Sequence, residues 1–347
     1  EEGITRIQRV QQVLYSDLMK AGVDAESDKS YMLEDTISIE GVVTMPTDLS
    51  YAGTCGNKFI MSDVNGGPWS GILLYDPGYQ DPYTGECVSS FPVLIEGDVV
   101  SATGYVYEYN TGPANMTELF VIQPVDIFDY NELPEVSVVP TGDLRWPTTA
   151  EQWGTVMIRV EDAIVTGNDF QYEVFSADDG SGSVLVDDDS DSLAAFFEQL
   201  GPPPVGSLIQ SMEGWLYHHY GSYSDSTAYK LCPLYAEDIE FGSGPPSITR
   251  TSREPCAPMS SDNEVAVSCV ILDNSIITEA LVHYTIDGST YSTVTMSTQD
   301  DSVFTGVIPL SNVTSNDNSV YYYITATDDG TDQSEPKTSQ YPYDNEH

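Results

Sequence analysis

The chain has 347 residues, 40% of them hydrophobic, with 23 Tyr, 10 Phe and 4 Trp, so it holds enough apolar material for folded cores and is not a disordered polymer. Its 55 acidic and 11 basic side chains leave a formal net charge of −44, which disfavours nucleic acid and anionic lipid, because both require cationic contacts. No apolar run approaches the roughly 18 residues that span a bilayer, and no signal peptide is seen, so if the chain is secreted this sequence is its processed form.

Residues 4 to 20 predict a helix. Ile4, Ile7, Val10, Leu14 and Leu18 recur at three- and four-residue steps, which gives one apolar stripe. Arg6, Arg9 and Lys20 lie off it, and Gly22 suits the stop. From residue 36 the texture is β. Ile37 to Val43 form a first strand, and Phe59-Ile60-Met61 runs into the turn signal Asp63 to Gly67. Gly71 to Tyr75 return, Val99 to Tyr109 follow a Pro/Gly loop, and Glu118 to Ile122 with Val125 to Phe128 close the unit.

The unit recurs after about 110 residues, a domain duplication rather than a solenoid. Val156 to Thr166 answers Ile37 to Thr44, Asp178 to Gly182 answers Asp63 to Gly67, and Val184 to Asp188 answers Ile72 to Asp76. Gly214-Trp215-Leu216-Tyr217 answers Gly104-Tyr105-Val106-Tyr107. In the second copy Leu193 to Leu200 read as a short helix between the third and fourth strands. Five strands with a helix at that point is the OB-fold order. Beyond the linker Gly242 to Pro246, short regular strands with the turn Asp287-Gly288 predict a β-sandwich of roughly 90 residues.

Several of these residues also carry a family likeness. Ile4-Thr5-Arg6-Ile7-Gln8, Ile39-Glu40-Gly41-Val42-Val43-Thr44 and Glu96-Gly97-Asp98-Val99-Val100 together resemble the OB-type domain of secreted bacterial proteins, which often accompanies extracellular endonucleases. The second copy, with Arg159-Val160-Glu161 and Asp178 to Gly182, is similar to its tandem partner. Residues 245 to 335, with Tyr321 to Asp328, resemble Ig-like modules of bacterial surface proteins. The likeness rests on strand and turn residues, so it implies fold more than function. No nuclease domain is visible, and nuclease activity is not implied.

The search for chemistry is mostly negative. The hydrolase, zinc-protease and phosphate-loop motifs are absent. His218-His219 sits on a strand, where neighbours face opposite ways and cannot grip one ion together; it reads as structural. Asp187, Asp189 and Asp191, with Glu198 at the twelfth position, follow the spacing of a calcium loop. Ser192 stands where such loops have Gly, and the other reading is an acidic strand end before a capped helix. Asp328, Asp329, Asp332 and Glu335 form a second acidic cluster, either a calcium site or a solvated turn. Tyr105, Tyr107, Tyr109, Trp215 and Tyr217, with Tyr220 and Tyr223, lie on equivalent strands, where OB barrels bind oligosaccharides or oligonucleotides. Ordinary barrel packing also accounts for such rings, and the dearth of Lys and Arg favours a glycan over nucleic acid.

Five cysteines and the domain positions point to Cys55–Cys87 and Cys256–Cys269, with Cys232 unpaired or intermolecular; disulfides imply an oxidising exterior. Asn115 and Asn312 begin glycosylation sequons. The expectation is therefore an all-β chain: helix and linker over 1–35, OB-fold barrels over 36–130 and 151–242 with a linker at 131–150, an Ig-like sandwich over 245–335 and a tail over 336–347. Its expected role is a secreted, non-enzymatic structural or adhesive protein of the cell surface, with calcium as its expected cofactor and no organic one. The alternative is an accessory module for polysaccharide or, less favoured, nucleic acid. The N-terminal stripe must dock, either on its own barrel or on the acidic body of a neighbour; the second choice would give an open homo-oligomeric filament.

Overall fold

The computed structural model describes residues 3–20, 28–112, 114–168, 174–223, 225–242, 244–259, 261–273, 275–286, 288–298, 302–311, 319–330 and 336–342. The chain is all-β with a few short helices, and no helix among the described residues is long and apolar enough to cross a membrane. It forms two compact units, Glu1–Phe197 with Ser211–Glu240, and Glu198–Gln210 with Phe241–His347.

In the first unit, the first repeat supplies β1 (Thr36–Met45), β2 (Asn57–Ser62), β3 (Gly71–Asp76), β4 (Asp98–Thr111), β5 (Ala114–Val121) and β6 (Asp126–Tyr130). Their order is β1-β2-β3-β5-β4-β6, and β1 also pairs with β4. The first five strands thus close into a barrel, an arrangement consistent with an OB-fold. One long strand serves both partners because its register breaks between Val43 and Met45. Residues 36–42 pair with β4, and residues 42–45 pair with β2, Val42 serving both. A bulge of this kind bends a strand around a barrel corner. Alternate residues Ile37, Ile39 and Val43 point into a core with Phe59, Met61, Ile72, Leu74, Val100 and Leu119.

The N-terminal segment departs from the expected single helix over residues 4–20. It forms α1 (Ile7–Gln11) and α2 (Tyr15–Leu18), separated at Gln12, which is extended. Tertiary contact overrides the helical pattern: Gln11 Nε2 donates to the Gly71 carbonyl at 2.8 Å, so the chain follows the barrel surface. Ile7 and Val10 join the barrel core, each contributing about 1.5–3 kcal/mol by burial, while Ile4 and Leu14 remain exposed. The buried part of the stripe, Ile7 and Val10, therefore docks on its own barrel.

The second repeat supplies β7 (Met157–Gly167), β8 (Phe175–Asp178), β9 (Val184–Val186), β10 (Leu208–His218), β11 (Tyr229–Cys232) and β12 (Ile239–Phe241). The order β7-β8-β9-β11-β10, with β10 also pairing β7, repeats that of the first barrel, including the parallel pair of third and fifth strands. The helix α3 (Asp191–Leu200) buries Leu193 and Phe197. The two repeats share a core. Met45, Ile60, Leu73 and Met116 of the first cluster with Trp215, Tyr217, Cys232 and Leu234 of the second.

In the second unit, β13 (Ser247–Glu254), β14 (Glu264–Leu272) and β17 (Val303–Pro309) form one sheet with residues 297–298. The other sheet orders β16 (Ser292–Thr295), β15 (Ile277–Thr285), β18 (Tyr321–Asp328) and β19 (Thr338–Tyr341). Val267 and Ile271 of one sheet and Val282 and Ile324 of the other share a core, as two alternating sheets must. Asp287 of the expected hairpin turn lies outside the described residues.

Cys55 and Cys87 are bonded. The second expected bridge is corrected: Cys256 and Cys269 are both free thiols. Cys269 points into the sandwich core, while Cys256 is exposed beyond the end of β13. Cys232 is buried in the core shared by the repeats, which rules out an intermolecular bridge in the folded chain. The sequon at Asn115 is closed to modification. Its amide is buried and donates from Nδ2 to Asp28 Oδ1 at 2.6 Å, so it cannot carry a glycan in this fold. Asn312 lies outside the described residues.

Candidate functional site

Strand alternation gives β4, β5 and β10 two chemically different faces. On one face of β4 stand Tyr105, Tyr107 and Tyr109, with Glu118 and Phe120 beside them on β5. The register places Tyr105 opposite Phe120 and Tyr107 opposite Glu118. With Tyr51, Lys58, Leu73, Tyr75 and Tyr217 these residues line one groove of about 580 Å³. The rings hold one another in place. Tyr105 stacks on Phe120 at 4.7 Å, and Tyr75 meets Phe120 edge-on at 5.8 Å. Tyr217 stacks on His219 at 4.3 Å, and His219 on Tyr109 at 5.7 Å. Tyr107 and Tyr109 keep about 40% of their surface open to solvent (42% and 38%), so their faces are available to a ligand.

Two polar groups break the aromatic lining. Burial pushes the Glu118 carboxyl up to about 8, although Lys58 opposes the shift. At neutral pH it is thus a hydroxyl donor rather than an anion. Lys58 Nζ pairs with Asp189 Oδ2 at 3.0 Å and sits 5.5 Å from the Tyr217 ring centroid. A wall of tyrosine faces with a neutral acid and one cation offers flat apolar contact and directional hydrogen bonds. It offers none of the cationic stripe that phosphate backbones require.

The structure places four of the five expected aromatic residues, Tyr105, Tyr107, Tyr109 and Tyr217, in this groove. Trp215 is the correction: it is 1% exposed and belongs to the core between the repeats. The residues that sequence reasoning missed are Tyr51, Lys58, Tyr75, Glu118 and Phe120. Only the paired aromatics of neighbouring strands hinted at them.

The four carboxylates with calcium-loop spacing are not brought together. Burial raises Asp187 to about 6. Asp189 accepts from Lys58 and from Ser50 Oγ. Asp191 already opens α3, so Glu198 lies two turns along that helix, about 10 Å from its start. A calcium loop needs its helix to begin only near the last ligand. In the other acidic cluster, Asp328 is buried and accepts the backbone N–H groups of Gly330 and Lys337 at 3.0 and 2.7 Å. Asp332 and Glu335 lie outside the described residues.

The opposite faces of the same strands are buried and polar. Glu108 Oε1 accepts from Thr117 Oγ1 and from the Ser30 N–H, each at 2.8 Å. Asp28, Asn115, Glu151, His218, Tyr223 and Tyr229 form a continuous network beside it. Burial drives His218 down to about 3, with Lys230 adding to it. Burial likewise raises Asp28 above its ordinary value and Glu151 well above its own. Among the described residues, Asp28, Glu151 and His218 are the one set of three His, Cys or acidic residues whose ligand atoms lie within 4.8 Å of one another.

No protein-family model and no curated protein matches this chain.

Proposed function

We propose that this is a secreted, non-catalytic adhesive protein that holds an uncharged oligosaccharide in the aromatic groove of its first barrel. The observation that supports the reading is the convergence of six tyrosines, Phe120, Lys58 and a neutral Glu118 on one open groove of about 580 Å³. Sugar rings present flat C–H faces to aromatics and hydroxyls to polar groups, and barrels of this class use such a face for oligosaccharides. A net charge of −44 repels anionic glycans and nucleic acid alike. The bonded Cys55–Cys87 pair fits an oxidising exterior, and the OB-type and Ig-like resemblance of the domains fits a surface protein.

The test is a panel of neutral, amino and acidic oligosaccharides, with single-stranded DNA as a further arm, read by isothermal titration on the full chain. Neutral sugars should bind, and the Tyr107→Ala, Tyr109→Ala double variant should bind them at least tenfold more weakly, given about 1–3 kcal/mol per stacked ring. Retention of DNA in place of sugar, or sugar binding unchanged in the double variant, would overturn the reading.

A further inference from the structure

We propose that Asp28, Glu151 and His218 form a binding site for one divalent transition-metal ion of the zinc class, a structural centre in the seam between the two repeats. The three residues come from remote parts of the chain: the segment before β1, the short turn before β7 and the end of β10. The fold brings their ligand atoms within 4.8 Å of one another.

The spacing fits an ion. Two ligands about 2.0–2.1 Å from a tetrahedral zinc stand about 3.3 Å apart, and His218 Nδ1 lies 3.4 Å from Glu151 Oε2. That Nδ1 is the second observation. The His218 side chain is 2% exposed, and Nδ1, though 3.4 Å from Glu151 Oε2, makes no hydrogen bond of good geometry. A buried polar atom left in this way carries a desolvation penalty that a metal would remove.

The outer shell is already built. A metal-bound histidine usually donates its other ring N–H to a fixed acceptor. Here His218 Nε2 lies 2.8 Å from Tyr223 Oη, which in turn donates to Asp28 Oδ2 at 3.3 Å. Asn115 Nδ2 donates to Asp28 Oδ1, and Tyr229 Oη to Glu151 Oε2, each at 2.6 Å. Every proposed ligand is thus oriented by a second residue. One nitrogen and two carboxylates suit Zn²⁺ or Mn²⁺ better than Ca²⁺ or Mg²⁺, which prefer all-oxygen cages. Two carboxylates would balance the charge of the ion and leave a neutral centre.

The full chain, stripped with chelator, should take up one equivalent of Zn²⁺ by titration calorimetry in the presence of excess Ca²⁺. The Ca²⁺ masks the acidic surface. At a hundredfold excess over the dissociation constant, the melting temperature should rise by about 5 °C or more. Glu151→Gln keeps an acceptor for Tyr229 and should fold normally by circular dichroism, yet bind Zn²⁺ at least a hundredfold more weakly. Absence of Zn²⁺ uptake by the native chain, or undiminished uptake by folded Glu151→Gln, would overturn the proposal and leave the cluster a buried hydrogen-bond network. Neither outcome bears on sugar binding.

Discussion

A Cβ on Gly71 would lie 2.0 Å from the carbonyl oxygen of Thr155. The first residue of β3 and the turn leading into β7 meet backbone to backbone, and only a glycine permits that approach. Gly71→Ala should therefore force the repeats apart and lower stability by about 2–3 kcal/mol. Gly3→Ala, where nothing lies within 4 Å, should be near neutral. Urea titration of the two variants checks the contrast; equal effects would mean that the seam yields easily.

The acids on the two faces of β4 and β5 set a pH dependence. Burial raises Glu108 from 4.5 to about 7 and Glu118 from 4.5 to about 8. Both are protonated in the fold at a pH where the unfolded chain has ionised them. Their contribution to stability is fully present below about pH 4.5 and is lost as pH rises through about 7 and 8. Melting temperature measured in chelator should fall across that window. Glu108→Gln should flatten the lower part, and a melting temperature that rises from pH 5 to 8 would refute the assignment.

The Cys55–Cys87 bridge closes a separation of 32 residues beside Tyr51 in the groove. A loop of that length stabilises by about 3–4 kcal/mol in the chain-entropy model. The Cys55→Ser, Cys87→Ser double variant should lose about that much and bind sugar less tightly. In the native protein, maleimide should label Cys256 at once, and Cys232 and Cys269 only after unfolding. Early labelling of Cys232 would mean that the core between the repeats opens readily.

Asp189 links the repeats through Lys58 and Ser50. Asp189→Ala leaves the buried Lys58 ammonium without that partner and should cost about 3 kcal/mol, the low end for a buried pair because Asp189 is partly exposed. The loss should be the same in calcium as in ionic-strength-matched sodium, with both salts stabilising the chain by screening. A loss confined to calcium would restore the acidic run as a metal loop.

The barrels were largely legible because their signal is local. Period-two alternation in Ile37 to Val43, the turn at Asp63 to Gly67 and the recurrence of both in the second copy need no long-range information. Tyr105, Tyr107 and Tyr109 follow from the same alternation. Glu118 and Lys58 join them only through strand pairing, which a single sequence does not state. Asp28, Glu151 and His218 were still harder to see. The reading of His218-His219 was correct that neighbours face apart, but the partners of His218 stand far away in the chain. The helix over residues 4–20 breaks because Gln12 and Leu14 take extended backbone while Ile7, Val10 and Gln11 are fixed on the barrel.

Met45, Ile60 and Leu73 of one repeat close a single apolar cluster with Trp215, Cys232 and Leu234 of the other. Cleavage between residues 130 and 151 would strip that cluster on both sides, so neither copy is a portable cassette. Calorimetry should register the pair as one melting event where the sequence shows two copies. Once the copies share an interior, a substitution in one must be tolerated by the other. The duplication has thereby ended the independence of its own halves.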